Sequence, residues 1–106
     1  MTDRTATVSA IEASGVVAVL RLKDPASLRA VVDALAEGGV RALEVTMTGP
    51  RAIELIAEIA PALPPEIVLG AGTVLDAPTA RAAIAAGARY VVSPVFRTEV
   101  DRKSVV

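Results

Sequence analysis

A chain of 106 residues with 53% hydrophobic content can fill one core, so it is one domain or a piece of one. Its formal net charge of -1 argues against nucleic acid, an anionic membrane or a polyanion as partner, and leaves small neutral or anionic metabolites open. With no Cys and no His, disulfides, thiolate nucleophiles, Ser-His-Asp triads and the usual zinc sites are excluded within the chain, and acid-base work falls to carboxylates or lysine.

The first residues, MTDRTATVSAIEAS, contain acidic side chains and no uninterrupted apolar run, and no later run is long enough to span a bilayer. A soluble, cytoplasmic protein is expected. A short leading helix is predicted near 7–14. Gly15 then opens VVAVLRL, Gly39 opens VRALEVTMT and Gly87 opens ARYVVSP, so strand-like runs restart after glycine at a recurring interval. Strands are predicted near 16–22, 40–47, 67–73 and 89–94.

Helix-period segments lie between them, at 25–37, 50–60 and 77–86. Leu28, Val31, Val32 and Leu35 form one apolar stripe, and Ile53, Ile56 and Ala60 another. Asp24 before Pro25 reads as an N-cap with Pro at the first helical position, and Asp76 can cap the last helix in the same way. Gly38, Gly39 and Gly87 suit the left-handed turn that ends a helix before the next strand. Helices of about a dozen residues between consecutive short strands imply right-handed crossovers and a parallel α/β sheet. Periodicity does not say whether that sheet stays open or curls into a barrel.

Alternation on the second strand sends Leu43, Val45 and Met47 toward the helices and Glu44, Thr46 and Thr48 to the opposite face. Val17, Val19 and Arg21 repeat the scheme on the first strand, so that the charge arrives only at its carboxyl end. In parallel α/β proteins the carboxyl ends of the strands form the working rim. Arg21, Glu44, Thr73 and Ser93 could therefore share a pocket. Each also has a plain structural reading, as a surface charge or as ordinary β propensity. Glu44 stands between Leu43 and Val45, where an unpaired carboxylate is costly to bury, and an ion pair with Arg21 is the structural alternative. Burial and a paired cation pull a carboxyl in opposite directions, and general acid-base work needs desolvation to win. GAGTVLD is not a dinucleotide fingerprint, because Leu75 stands where the third glycine belongs; glycines here are expected to admit a ligand or neighbouring strand to the backbone.

Taken in order and spacing, GVVAVLR, EGGVRALEVTMT, VLGAGTVLD and AAGARYVVSP resemble the first four strands of the 2-keto-3-deoxy-6-phosphogluconate and 4-hydroxy-2-oxoglutarate aldolases. The resemblance covers about residues 8–100. It implies the N-terminal half of a (β/α)₈ barrel, a homotrimer, no metal and no organic cofactor. It also implies cleavage of a 2-keto-3-deoxy acid to pyruvate and an aldehyde through a lysine Schiff base, whose protonated imine is the electron sink. By the same resemblance Glu44 is the proton-shuttling acid-base, Thr73 helps hold the pyruvyl carboxylate, and Arg21 binds substrate. Thr46, Thr48, Ser93 and Pro94 complete the expected substrate site.

Two departures stand out. Many members carry an Arg two residues after the LEVT threonine, where this chain has Thr48; Arg51 lies nearby but off the motif. The family's imine-forming lysine lies on the sixth strand, whereas the lysines here are Lys23, in the loop after the first strand, and Lys103, near the end. Residues 1–100 are therefore expected to form a partial barrel domain without activity of its own. Residues 101–106, DRKSVV, look foreign to the family pattern and are expected to be a non-native tail, such as a translated sequencing-adapter oligonucleotide. A non-catalytic α/β module that binds an anionic metabolite or a partner remains the alternative. Thiamine-phosphate synthase shares the AAGA turn but not the context of the glutamate.

Overall fold

The computed structural model describes residues 4–21, 25–49 and 51–94. Its elements run α1 (Arg4–Ser14), β1 (Val17–Leu20), α2 (Pro25–Glu37), β2 (Ala42–Thr46), α3 (Ala52–Ile59), a 3₁₀ turn (Ala60–Ala62), β3 (Val68–Gly72) and α4 (Ala77–Ala86). The strands are parallel in the order β1-β2-β3. Each strand is followed by a helix that returns the chain to the next, the (β/α) repeat of a parallel sheet. Asp24, Lys23, Lys103 and the stretch 101–106 lie outside the described residues.

The predicted helices at 25–37 and 77–86 are present at those limits, while the leading helix begins earlier, at Arg4. The fourth predicted strand, 89–94, is shorter than expected: only Ala71 and Val91 form a bridge. Its hydrogen bonds are nonetheless a parallel ladder, with Arg89 N–H donating to Leu69 O at 2.7 Å and Val92 N–H to Ala71 O at 2.8 Å. Ala71 N–H returns one to Tyr90 O at 3.0 Å. Pro94, which has no N–H to donate, follows directly.

Leu43, Val45, Leu69 and Ala71 are buried in one core with Leu28 and Val32 of α2 and Leu55, Ile56 and Ile59 of α3. The face of α3 differs from expectation. Ala52, Leu55, Ile56 and Ile59 are buried, at the i, i+3, i+4, i+7 spacing, while Ile53 and Ala60 pack only at the margin. This register keeps Glu54 and Glu58 exposed; the second stripe through Ile53 was readable only because the helix is apolar on more than one face. Of the glycines expected to turn left-handed, Gly39 and Gly87 do so and Gly38 does not. Gly87, at φ 126°, donates to Ile84 O, and a Cβ there would run into the methyl of Ala60.

On the other face the register pairs Val19 with Glu44 and Glu44 with Gly70. At the amino end of that face Ala42 and Val68 are buried, and α1 packs against β2 and β3. The Ser14 hydroxyl accepts from Arg41 N–H at 3.0 Å and ties the end of α1 to the start of β2. Along β1 on the same face, Val17 and Val19 are 38% and 62% exposed, so the inner face is open on that side.

Candidate active site

Glu44 lies mid-strand on the inner face, where period-2 alternation places it. Its side chain leans forward along the sheet, so that Cγ, the carboxyl carbon and Oε2 occupy the space over Gly72 that a side chain there would fill. Burial holds its carboxyl above the ordinary glutamate range. No ion pair links it to Arg21. Desolvation therefore wins over charge pairing, the alternative that the residue pattern left open.

Three threonines gather at the ends of β2 and β3. Thr46, buried, donates from its hydroxyl to Thr73 Oγ1 at 3.2 Å, and its oxygen lies 3.1 Å from Thr48 Oγ1. Thr48 N–H also points to Thr46 Oγ1, at 3.4 Å. Thr73 holds φ 58°, a left-handed conformation that costs a β-branched residue on the order of 1–3 kcal/mol. The turn it makes is what brings its hydroxyl back to Thr46. Beside this group a cleft of about 430 Å³ opens at the carboxyl rim, with Thr48 and Thr73 in its wall together with Arg51, Glu54, Asp76 and Thr79. Asp76 accepts from Thr79 N–H at 2.7 Å, the N-cap expected of it.

Other expected site residues stand apart from this group. Arg21 is exposed at the end of β1, with its Cγ over Gly49, and does not line the cleft. Ser93 is half-buried and Pro94 exposed, past the bridge at Val91. One residue was missed altogether. Tyr90, the single tyrosine of the chain, is 3% exposed, lays its ring over Gly70, and donates its hydroxyl to Leu43 O at 2.7 Å. Burial, and then the nearby Glu44 charge, push its phenol well above the ordinary tyrosine value. Its signal was its phase, since ARYVVSP sets an aromatic ring level with the first glycine of GAG. Among the described residues no group of three or more acidic side chains is placed to hold a metal ion.

A family model for KDPG and KHG aldolases matches residues 8–106. The chain belongs to the KDPG/KHG aldolase family. It is 41% identical over 91 residues to the 2-dehydro-3-deoxy-phosphogluconate aldolase of Treponema pallidum, covering 86% of this chain and 43% of that protein. The Zymomonas mobilis aldolase of the same name is 35% identical over 97 residues, covering 92% of this chain and 46% of its own length. A crystal structure of the Legionella pneumophila KDPG aldolase, with pyruvate captured as a covalent carbinolamine, superposes with a TM-score of 0.82 at 31% identity. That match covers 92% of this chain and 47% of the Legionella one. The chain thus spans about half the length of these aldolases. No helix among the described residues is long and apolar enough to cross a membrane.

Proposed function

We propose that this chain forms the acid-base half of a class I aldolase. The substrate of that reading is a 2-keto-3-deoxy-6-phospho sugar acid or 4-hydroxy-2-oxoglutarate, cleaved to pyruvate and an aldehyde. The observation that carries it is the Glu44 carboxyl, unpaired, partly desolvated and turned along the inner face toward the hydroxyls of Thr46 and Thr73. The capture of pyruvate as a carbinolamine on the Legionella relative supports an imine route.

In that route a lysine amine condenses with the substrate ketone and loses water. Glu44 accepts the proton of the C4 hydroxyl as the C3–C4 bond breaks, and the electron pair of that bond flows into the protonated imine, leaving an enamine and an aldehyde. Return of the proton to C3 and hydrolysis of the imine release pyruvate and the free amine. A carboxyl held above its ordinary range is suited to both directions of this shuttle. Thr73 and Thr46 offer hydroxyl donors to the substrate carboxylate, a charge-assisted contact stronger than one to a neutral acceptor. Thr48, Arg21, Ser93 and Pro94 are assigned to substrate binding by the family resemblance. The same reading includes a cytoplasmic homotrimer.

Neither Lys23 nor Lys103 matches the position of the family's imine-forming lysine, so that group is assigned to sequence outside these residues. Borohydride reduction in the presence of labelled pyruvate tests the assignment. A product of the same gene that carries the remaining strands is expected to become covalently labelled, and the 106 residues alone are expected to stay unlabelled and without turnover. Absence of label on the longer product would contradict the aldolase reading, and leave a metabolite-binding α/β module in its place.

A further inference from the structure

Strand register sets Glu44 directly beside Gly70, yet its carboxyl rests over Gly72, one inward position nearer the rim. The reason lies on the neighbouring segment. Tyr90 reaches across β3, where the missing side chain of Gly70 leaves room. Its ring atoms Cε1, Cε2 and Cζ stand where a Cβ at Gly70 would be, and its hydroxyl is held by the carbonyl of Leu43, the residue before Glu44. The place that Glu44 would occupy by lying straight across to β3 is taken.

We propose that Tyr90 is a positioning residue for Glu44: its buried ring, seated on Gly70 and anchored to Leu43 O, fills the sheet interior beneath the carboxyl and steers it onto Gly72 toward the threonine cluster. The inference rests on the acid-base reading of Glu44 for its purpose, but not for its geometry. Gly70 and Gly72 are then two adjacent sockets, one for an aromatic floor and one for the carboxyl. Glycine is required at each, since a Cβ would collide with the occupant. Of the groups that face Glu44, β1 presents the apolar Val19 with Arg21 at its exposed end, β3 presents the two glycines, and the strand-four segment presents Tyr90. The ring thereby excludes water from one side of the carboxyl, in keeping with the desolvation felt by both groups.

Two titrations of the 106-residue chain test this, and neither depends on turnover. Infrared titration of ¹³C-labelled glutamate, with the Glu44 band identified by its loss in Glu44→Gln, is run on wild type, Tyr90→Phe and Tyr90→Ala. Tyr90→Phe keeps the ring and is expected to leave Glu44 titrating above the ordinary glutamate range. Tyr90→Ala is expected to let it fall back toward that range. An unmoved Glu44 in a Tyr90→Ala chain that keeps its helical circular dichroism would overturn the proposal.

Should Tyr90→Ala fail to fold, the second titration decides. With one Tyr and no Trp, phenolate absorbance reports Tyr90 alone. It is expected to resist ionisation through the ordinary tyrosine range, and Glu44→Gln is expected to ease it by removing the neighbouring charge. Ionisation at the ordinary value in the folded wild type would overturn the proposal as well. Loss of the catalytic reading of Glu44 would leave both titrations as they are, so the two claims fail separately.

Discussion

Glu44 is a carboxyl that the fold makes more basic, and this has a sign in stability as well as in chemistry. Its folded pKa stands above the ordinary value of 4.5 because burial disfavours the charge. Between those two values the folded state holds more protons than the unfolded one, so stability falls as pH rises through that window and is level above it. Glu44→Gln removes the titration. In melting curves from about pH 4 to about pH 8, the variant is expected to gain on wild type as pH rises and then hold a constant lead. A lead that shrinks with pH would mean a carboxylate stabilised by pairing. Thr73 invites a second substitution. Thr73→Gly relieves a left-handed β-branched residue at the cost of one hydroxyl contact, so a net stabilisation of about 1 kcal/mol is expected in thermal melts. Pyruvate binding by the longer gene product should weaken in the same variant, since the hydroxyl is lost. Glu44, Thr46 and Thr48 were legible from alternation, because one residue in two must face inward, and Thr73 from its place at the carboxyl end of the third strand. Tyr90 was not, because its role depends on the gap at Gly70 in a neighbouring strand, a relation that no single segment displays.

Helices were read from the sequence where capping and periodicity agreed. For α4, Asp76 and Pro78 at the start and Gly87 at the end fix both limits chemically. Asp76→Ala is expected to cost about 1 kcal/mol, read as a lower melting temperature, with Asp76→Asn restoring most of it. The asparagine rescue separates the cap from any effect of charge in the cleft. Agreement was poorer where a helix offered two apolar stripes. In AIELIAEI the sheet takes Ala52, Leu55, Ile56 and Ile59, which put more apolar side chain on one face than Ile53, Ile56 and Ala60 do. The fourth strand fell short of its predicted length for a different reason. It pairs on one side only among the described residues, and Pro94 cannot extend a ladder, so strong β propensity in YVV yields a bridge with ladder-like hydrogen bonds.

At the scale of the molecule, the parallel repeat was legible but the curl of the sheet was not, because curvature is a property of strands that pair beyond those a short segment specifies. Membership in the KDPG/KHG aldolases supplies it: the chain makes about half of such a barrel. One consequence is an open inner face, with Val19 62% exposed and β1 free along one edge among the described residues. Expressed alone, the chain is expected to sediment as associated species, and Val17→Lys with Val19→Lys to reduce that association. A monodisperse monomer with a cooperative melt would contradict this. The central claim, that Glu44 moves the proton in an imine-forming barrel, is tested most directly by deuterium exchange into the methyl group of pyruvate. The measurement compares wild type and Glu44→Gln in the gene product that carries the remaining strands. Borohydride trapping is expected to persist in the variant while exchange falls by about 10²–10⁴-fold. Exchange that proceeds at the wild-type rate without the carboxyl would contradict the account.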